Sequence, residues 1–127
     1  MKLRIQGNSL RLRVARSELA RLTNGERVEE MIHFAPEPSA ALRYVLASSS
    51  ETDSVNVSYL PGEILVIVGS EQLRIWSAED QVGIYATLDL GSFGSLAISV
   101  EKDFACLDGS DEKNRDTFVN PLGSRVC

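Results

Sequence analysis

The stretch Lys2-Leu3-Arg4-Ile5-Gln6-Gly7-Asn8-Ser9-Leu10-Arg11-Leu12-Arg13-Val14 alternates apolar and polar residues on both sides of a Gly-Asn pair. Period-two alternation marks a strand with one face in a core, and Gly-Asn between two such runs suits a two-residue hairpin turn. A loop of that length fixes the register: Gln6 stands opposite Ser9, Ile5 opposite Leu10, Arg4 opposite Arg11, Leu3 opposite Leu12 and Lys2 opposite Arg13. Leu3, Ile5, Leu10 and Leu12 then face inward, while Lys2, Arg4, Arg11 and Arg13 share the outer face as two opposed like-charge pairs. Each such pair costs a sheet a few tenths to about 1 kcal/mol, so four cations here call for an anionic partner. Phosphate is one candidate, because arginine forks match it bidentately. The other is internal, with Glu29, Glu30 or the acidic C-terminal segment covering the face.

The same pattern returns at an offset of 54 residues. Leu3 aligns with Val57, Leu10 with Ile64, Leu12 with Val66, Val14 with Val68, Leu19 with Leu73, Leu22 with Trp76 and Val28 with Val82. The match runs on through Leu42 with Leu96, Tyr44 with Ile98 and Leu46 with Val100, so about 46 residues repeat in pattern without a gap. Self-similarity of this kind is the mark of a duplicated supersecondary unit. Each unit reads as strand, strand, short helix, strand, strand. In the first, strands over Lys2 to Gln6 and Ser9 to Val14 lead to a helix over Arg16 to Leu22 that stops at Asn24-Gly25. Strands over Arg27 to Phe34 and Ala41 to Ala47 follow, with Pro36-Glu37-Pro38 between them. In the second, strands over Val55 to Leu60 and Glu63 to Val68 flank Pro61-Gly62. A helix over Ser70 to Trp76 and strands over Val82 to Leu88 and Ser95 to Val100 complete it.

The expected fold is therefore mainly β with short helices (α+β), a single compact domain in which two tandem ββαββ repeats pack into a small barrel-like body. Repeat one spans 1–47, a polar linker 48–54, repeat two 55–101 and a C-terminal tail 102–127. Val28 and Val82 are expected at matching core positions about a pseudo-twofold axis. Phe118-Val-Asn-Pro-Leu122 offers an apolar anchor that can dock the tail on the body.

With 127 residues, 43% hydrophobic, the chain suffices for one domain with a real core. No run approaches the roughly 18 apolar residues of a membrane span, and the charged alternation from Met1 is unlike a signal peptide, so a cytoplasmic protein is expected. The net charge of −5 hides a division: residues 1–27 carry seven cations against Glu18 and Glu26, and the remaining hundred residues sum to −10. A basic end on an acidic body can still present a local positive field.

Gly7-Asn8-Ser9, Arg13-Val14 at the strand end, a helix around Leu19 and Leu22, and Gly25-Glu26-Arg27-Val28-Glu29 together resemble the swapped-hairpin domain of AbrB-like transition-state regulators and MazE-type antitoxins. The resemblance covers residues 1–34 directly and 55–88 by pattern. It implies a dimer-like, strand-rich unit that binds DNA through basic residues on the hairpin face, here Lys2, Arg4, Arg11 and Arg13. Ala15 stands where that family usually opens its helix with proline. Ile67 occupies the place equivalent to Arg13, so the second unit lacks the symmetric cation. The whole chain, with Glu101-Lys-Asp-Phe-Ala-Cys-Leu107 and Phe118-Val-Asn-Pro121, also resembles small uncharacterised bacterial proteins.

The outer face of the second hairpin would show Asn56, Ser58, Leu65 and Ile67. Two aliphatics on a strand facing water predict a covered surface, under the tail or under a protein partner such as a second subunit. Cys106 and Cys127 with Asp103, Asp108 and Asp111 lack the close spacing of a metal site, and nothing orients His33 as a base for a Cys106 nucleophile. Reduced, non-catalytic thiols are expected, with no cofactor, and Trp76 and Leu73 are expected in the core. These readings converge on a non-enzymatic binding or regulatory module whose hairpin meets DNA or another polyanion. The alternative is a small metal- or ligand-binding protein using the C-terminal Cys/Asp segment.

Overall fold

The structure is a computed structural model, and it describes residues 1–78, 80–104 and 116–119. Ten elements follow the expected order: β1 (Lys2–Gln6), β2 (Ser9–Val14), α1 (Arg16–Thr23), β3 (Val28–His33), β4 (Ala41–Ser49), β5 (Asn56–Leu60), β6 (Glu63–Gly69), α2 (Ser70–Trp76), β7 (Gly83–Asp89) and β8 (Ser95–Lys102). A single 3-10 turn, Gly91–Phe93, joins the last two strands. The reading of a mainly β, α+β domain is thus what the chain adopts.

The strands do not close into a barrel. They form two separate four-stranded sheets, in the orders β1-β2-β8-β7 and β3-β4-β6-β5. Among the described residues, β1, β7, β3 and β5 are edges with no strand beyond them. Each sheet is built from one hairpin of each half of the sequence, because each helix carries the chain from one sheet to the other. The hairpins join through the parallel pairs β2 with β8 and β4 with β6.

The registers make the duplication concrete. Ser9 pairs with Ala97 and Leu12 with Val100 in the first sheet, and Glu63 pairs with Arg43 and Val66 with Leu46 in the second, each set related to the other by the same offset of 54. The correspondence slips at one strand. Val28 pairs with Leu46, but its counterpart opposite Val100 is Ile84 and not Val82. The slip is two residues, and an even slip returns every side chain to its own face. Ile84 is accordingly buried and Val82 is 41% exposed.

The core gathers where the helices cross between the sheets. Leu19 and Leu22 from α1 and their counterparts Leu73 and Trp76 from α2 are buried with Leu12, Val14, Leu46, Val66, Val68 and Val100. The Trp76 indole donates to the carbonyl of Val82 at 3.1 Å, which satisfies its one polar atom. Burial fades toward the turns at the far end. Ile5, inward-facing by alternation, is 58% exposed, and its counterpart Tyr59 is 69% exposed, because both lie on edge strands distant from the helical end.

Both helices start without a side-chain acceptor at the residue before them, since those residues are Ala15 and Gly69. The third helical residue reaches back instead: Glu18 accepts from the Ala15 amide at 2.9 Å and Gln72 from the Gly69 amide at 3.0 Å. The glycine is required. A Cβ at position 69 would stand 2.7 Å from the Thr52 carbonyl oxygen, where the chain between the repeats passes over the start of α2.

Candidate functional site

The hairpin register is the one expected, with Lys2 opposite Arg13 and Arg4 opposite Arg11. What the sequence does not show is the neighbour of β2. Pairing with β8, and of β8 with β7, extends the cationic face across four strands into three rows: Lys2, Arg13, Glu101, Gly83; then Arg4, Arg11, Ser99, Tyr85; then Gln6, Ser9, Ala97, Thr87.

Carboxylates answer two of the four cations. Arg11 Nε lies 3.2 Å from Glu101 Oε1, and Lys2 Nζ lies 2.9 Å from Asp103 Oδ2, just past the end of β8. Of the internal anions expected there, the C-terminal segment supplies Asp103, whereas Glu29 is on β3 in the other sheet and Glu30 accepts from the Met1 ammonium at 3.3 Å. The correction has a topological cause. The hairpin's sheet neighbour comes from the far half of the chain, and β3 belongs to the second sheet. Arg4 donates to Gln6 Oε1 at 3.4 Å, and neither Arg4 nor Arg13 makes an ion pair among the described residues.

Tyr85 is the residue of this face that sequence reasoning missed. Its hydroxyl donates to Glu101 Oε2 at 2.7 Å, so one carboxylate bridges the phenol and the Arg11 guanidinium. Gly83 makes the geometry possible, since a Cβ there would lie 3.0 Å from the Tyr85 hydroxyl and 2.7 Å from the Val100 carbonyl oxygen. The phenol's pKa is pushed up to about 12, first by partial desolvation and then by the hydrogen bond and charge of Glu101, so Tyr85 is a neutral donor at physiological pH. The alternation of Gly83 to Asp89 was the available signal, as it puts Tyr85 and Thr87 on one face.

The described part of the tail does not lie on the hairpin face of the second sheet. The Arg16 amide donates to the Asp116 carbonyl at 3.0 Å, and Ser17 donates through its amide and hydroxyl to the Asp116 carboxylate. Phe118 sits beside Phe104, with ring centroids 6.3 Å apart, and under the Lys102 ammonium at 5.3 Å. Lys102 is buried and donates to the Ala78 carbonyl at 2.7 Å.

In the second sheet the equivalent outer positions are held by Asn56, Ser58, Leu65 and Ile67, with Val45 and Ala47 between Leu65, Ile67 and β3. Val45 is 1% exposed yet lies outside the core cluster. Leu65 replaces Arg11, Ile67 replaces Arg13, Val45 replaces Ser99 and Ala47 replaces Glu101.

Cys106, Cys127, Asp108 and Asp111 lie outside the described residues, and Asp103 is engaged with Lys2. Among the described residues no cluster of three His, Cys, Asp or Glu side chains could hold a metal ion. No helix of the described residues is long and apolar enough to cross a membrane. No curated protein and no solved structure matches the chain. Residues 1–122 match one family over nearly the whole length, and the chain belongs to that family, a family of unknown function (DUF7009).

Proposed function

We propose that the protein is a cytoplasmic, non-enzymatic binding module whose outer face on the first sheet, carrying Lys2, Arg4, Arg11 and Arg13, engages a polyanion. The observation that carries this reading is the imbalance of the face: four cations share it with Glu101 and Asp103, and Arg4 and Arg13 keep their charge uncompensated by any ion pair among the described residues. Isolated cations on adjacent strands repel one another, and a phosphate backbone relieves the repulsion. The AbrB/MazE resemblance of the hairpin supports nucleic acid, in a regulator or antitoxin-like role, as the polyanion. The test is a titration of wild type and an Arg4→Ala/Arg13→Ala double variant against heparin and DNA at several salt concentrations. The double variant should lose binding while melting at the wild-type temperature, and wild-type affinity should fall steeply with salt. Failure of wild type to bind either polyanion at low salt would refute the reading.

A second reading concerns the other sheet and rests on the exchange of Arg11, Arg13, Ser99 and Glu101 for Leu65, Ile67, Val45 and Ala47. Leu65 and Ile67 are half-buried, and the polar set at the matching places of the first sheet supports a protein partner or a second copy covering what remains of them in solvent. Sedimentation of a Leu65→Lys/Ile67→Lys variant against wild type tests for self-association.

A further inference from the structure

We infer that the polyanion is single-stranded nucleic acid, with the Tyr85 ring as a base-stacking platform and Arg4 and Arg13 as its phosphate contacts. This rests on the polyanion reading above and specifies its ligand.

The first reason is shape. A ribbon of two strands can enter the major groove of a duplex, which is about 12 Å wide. Here β2 is an interior strand, paired on one side with β1 and on the other with β8. The cationic hairpin is therefore part of a plate of four strands. Three strand spacings already amount to about 14 Å before any side chain is added, so the plate cannot follow its hairpin into the groove. A flat sheet face suits a strand whose bases are splayed against it.

The second reason is the state of Tyr85. It is 58% exposed, and its hydroxyl is fixed on Glu101 over the gap left by Gly83. That hydrogen bond holds the ring of this exposed side chain in one orientation. Base stacking on such a ring is tolerant of sequence and contributes about 1–3 kcal/mol per base. Beside it, the outward residues of β8 level with the ring and beyond are the small Ser99 and Ala97, which do not cover it, and Arg11 stands two strands and about 10 Å of backbone away. Glu101 links the Tyr85 hydroxyl to Arg11, so ring and cations belong to one continuous surface.

The third reason is electrostatic. Acidic groups on the face would repel phosphates, but Glu101 spends one oxygen on the Tyr85 hydroxyl and the other on Arg11, while Asp103 is matched by Lys2. The remaining charge is that of Arg4 and Arg13.

The experiment measures fluorescence anisotropy with a short labelled single-stranded oligonucleotide, the duplex of the same sequence, and an abasic sugar-phosphate strand of equal length. Wild type should bind the single strand more tightly than the duplex. Tyr85→Ala should weaken single-strand binding by roughly 5- to 100-fold and leave the abasic strand unaffected, as loss of stacking requires. Tyr85→Phe, which keeps the ring, should retain most of the affinity. If Tyr85→Ala does not fold, Tyr85→Ile supplies a strand-forming side chain with no π face and should show the same loss. Equal losses in the Phe and Ala variants, no loss in either, or a duplex bound as tightly as the single strand would overturn the inference. If Arg4→Ala/Arg13→Ala still weakens both forms in that case, the polyanion reading survives. Absence of binding to every probe and to heparin removes both.

Discussion

Ser17 and Asp116, 99 residues apart in sequence, close the N-terminus of α1 together: the Ser17 amide donates to one carboxylate oxygen at 3.0 Å and its hydroxyl donates to the other. Ala15 offers no side-chain acceptor, so the cap comes from a distant segment, and a carboxylate there also meets the positive end of the helix dipole. Asp116→Ala should cost about 1 kcal/mol of stability, in the range measured for lost caps, and Asp116→Asn less. Urea denaturation measures both. An unchanged midpoint in the alanine variant would show that the cap does not contribute.

The two-residue slip in β7 makes a second prediction. Ile84 is buried opposite Val100, so Ile84→Ala should destabilise the protein by about 2–5 kcal/mol. Val82 is 41% exposed and contributes its carbonyl, which any residue supplies, so Val82→Ala should cost under about 1 kcal/mol. Thermal melts that rank the two in reverse would mean that the gapless alignment places the core residue correctly.

Lys102 is a buried cation at a place where the first half of the chain has Ser48. Its ammonium serves the Ala78 carbonyl and the Phe118 ring, tying the end of β8 to both the turn after α2 and the tail. Lys102→Ala should cost about 2 kcal/mol, as charge-assisted hydrogen bonds do, and Lys102→Met should recover the part owed to packing. Equilibrium unfolding resolves the difference between them.

Tyr85 gives a pH dependence with a definite sign. Its folded pKa of about 12 exceeds the usual phenol value of about 10, so the folded protein keeps a proton that the unfolded chain releases first. The associated stability is present below about pH 10 and is lost as pH rises toward 12. Tyr85→Phe should remove this decline and delete the last phenolate step that belongs to Tyr85 from the ultraviolet absorbance titration. Tyr44, whose pKa burial and the charges of Glu30 and Glu18 also raise, remains as an internal control. Loss of a step near pH 10, the ordinary phenol range, in Tyr85→Phe would count against the Tyr85 to Glu101 hydrogen bond.

Local order was readable because local rules decide it. The turn at Gly7-Asn8 sets the hairpin register, and Leu19 with Leu22 sets the buried stripe of α1; both stand as expected. Sheet membership was not readable. The parallel pairs Leu12 with Val100 and Val66 with Leu46 are fixed by how two sheets share their strands, and nothing near Leu12 in sequence encodes Val100. The closed barrel was wrong for the same reason, and so were Glu29 and Glu30 as counter-ions of the hairpin face, whereas the C-terminal segment, the other internal source, supplies Asp103. Glu101 and Asp103 become neighbours only when β8 docks beside β2. Tyr85 joined the face by the same route, whereas its outward orientation was already present in the alternation of β7.

Synthesis on the ribosome makes β1 and β2 before β8, and the exchange of hairpins between sheets sets what a nascent chain can complete. When β2 emerges it has β1 on one side and an open edge on the other, and the strand that fills that edge, β8, is the last of the eight to appear. β4 waits less, since β6 follows it closely, so the second sheet can assemble while the first is still half made. Until β8 arrives, Leu10, Leu12 and Val14 lack their neighbours Ile98, Val100 and Lys102. Closure of that pairing spans most of the chain, which slows folding and leaves an unpaired, aggregation-prone edge exposed during translation. Charged side chains on such an edge discourage strand-to-strand association, and Lys2, Arg4, Arg11 and Arg13 supply four of them on the newborn hairpin.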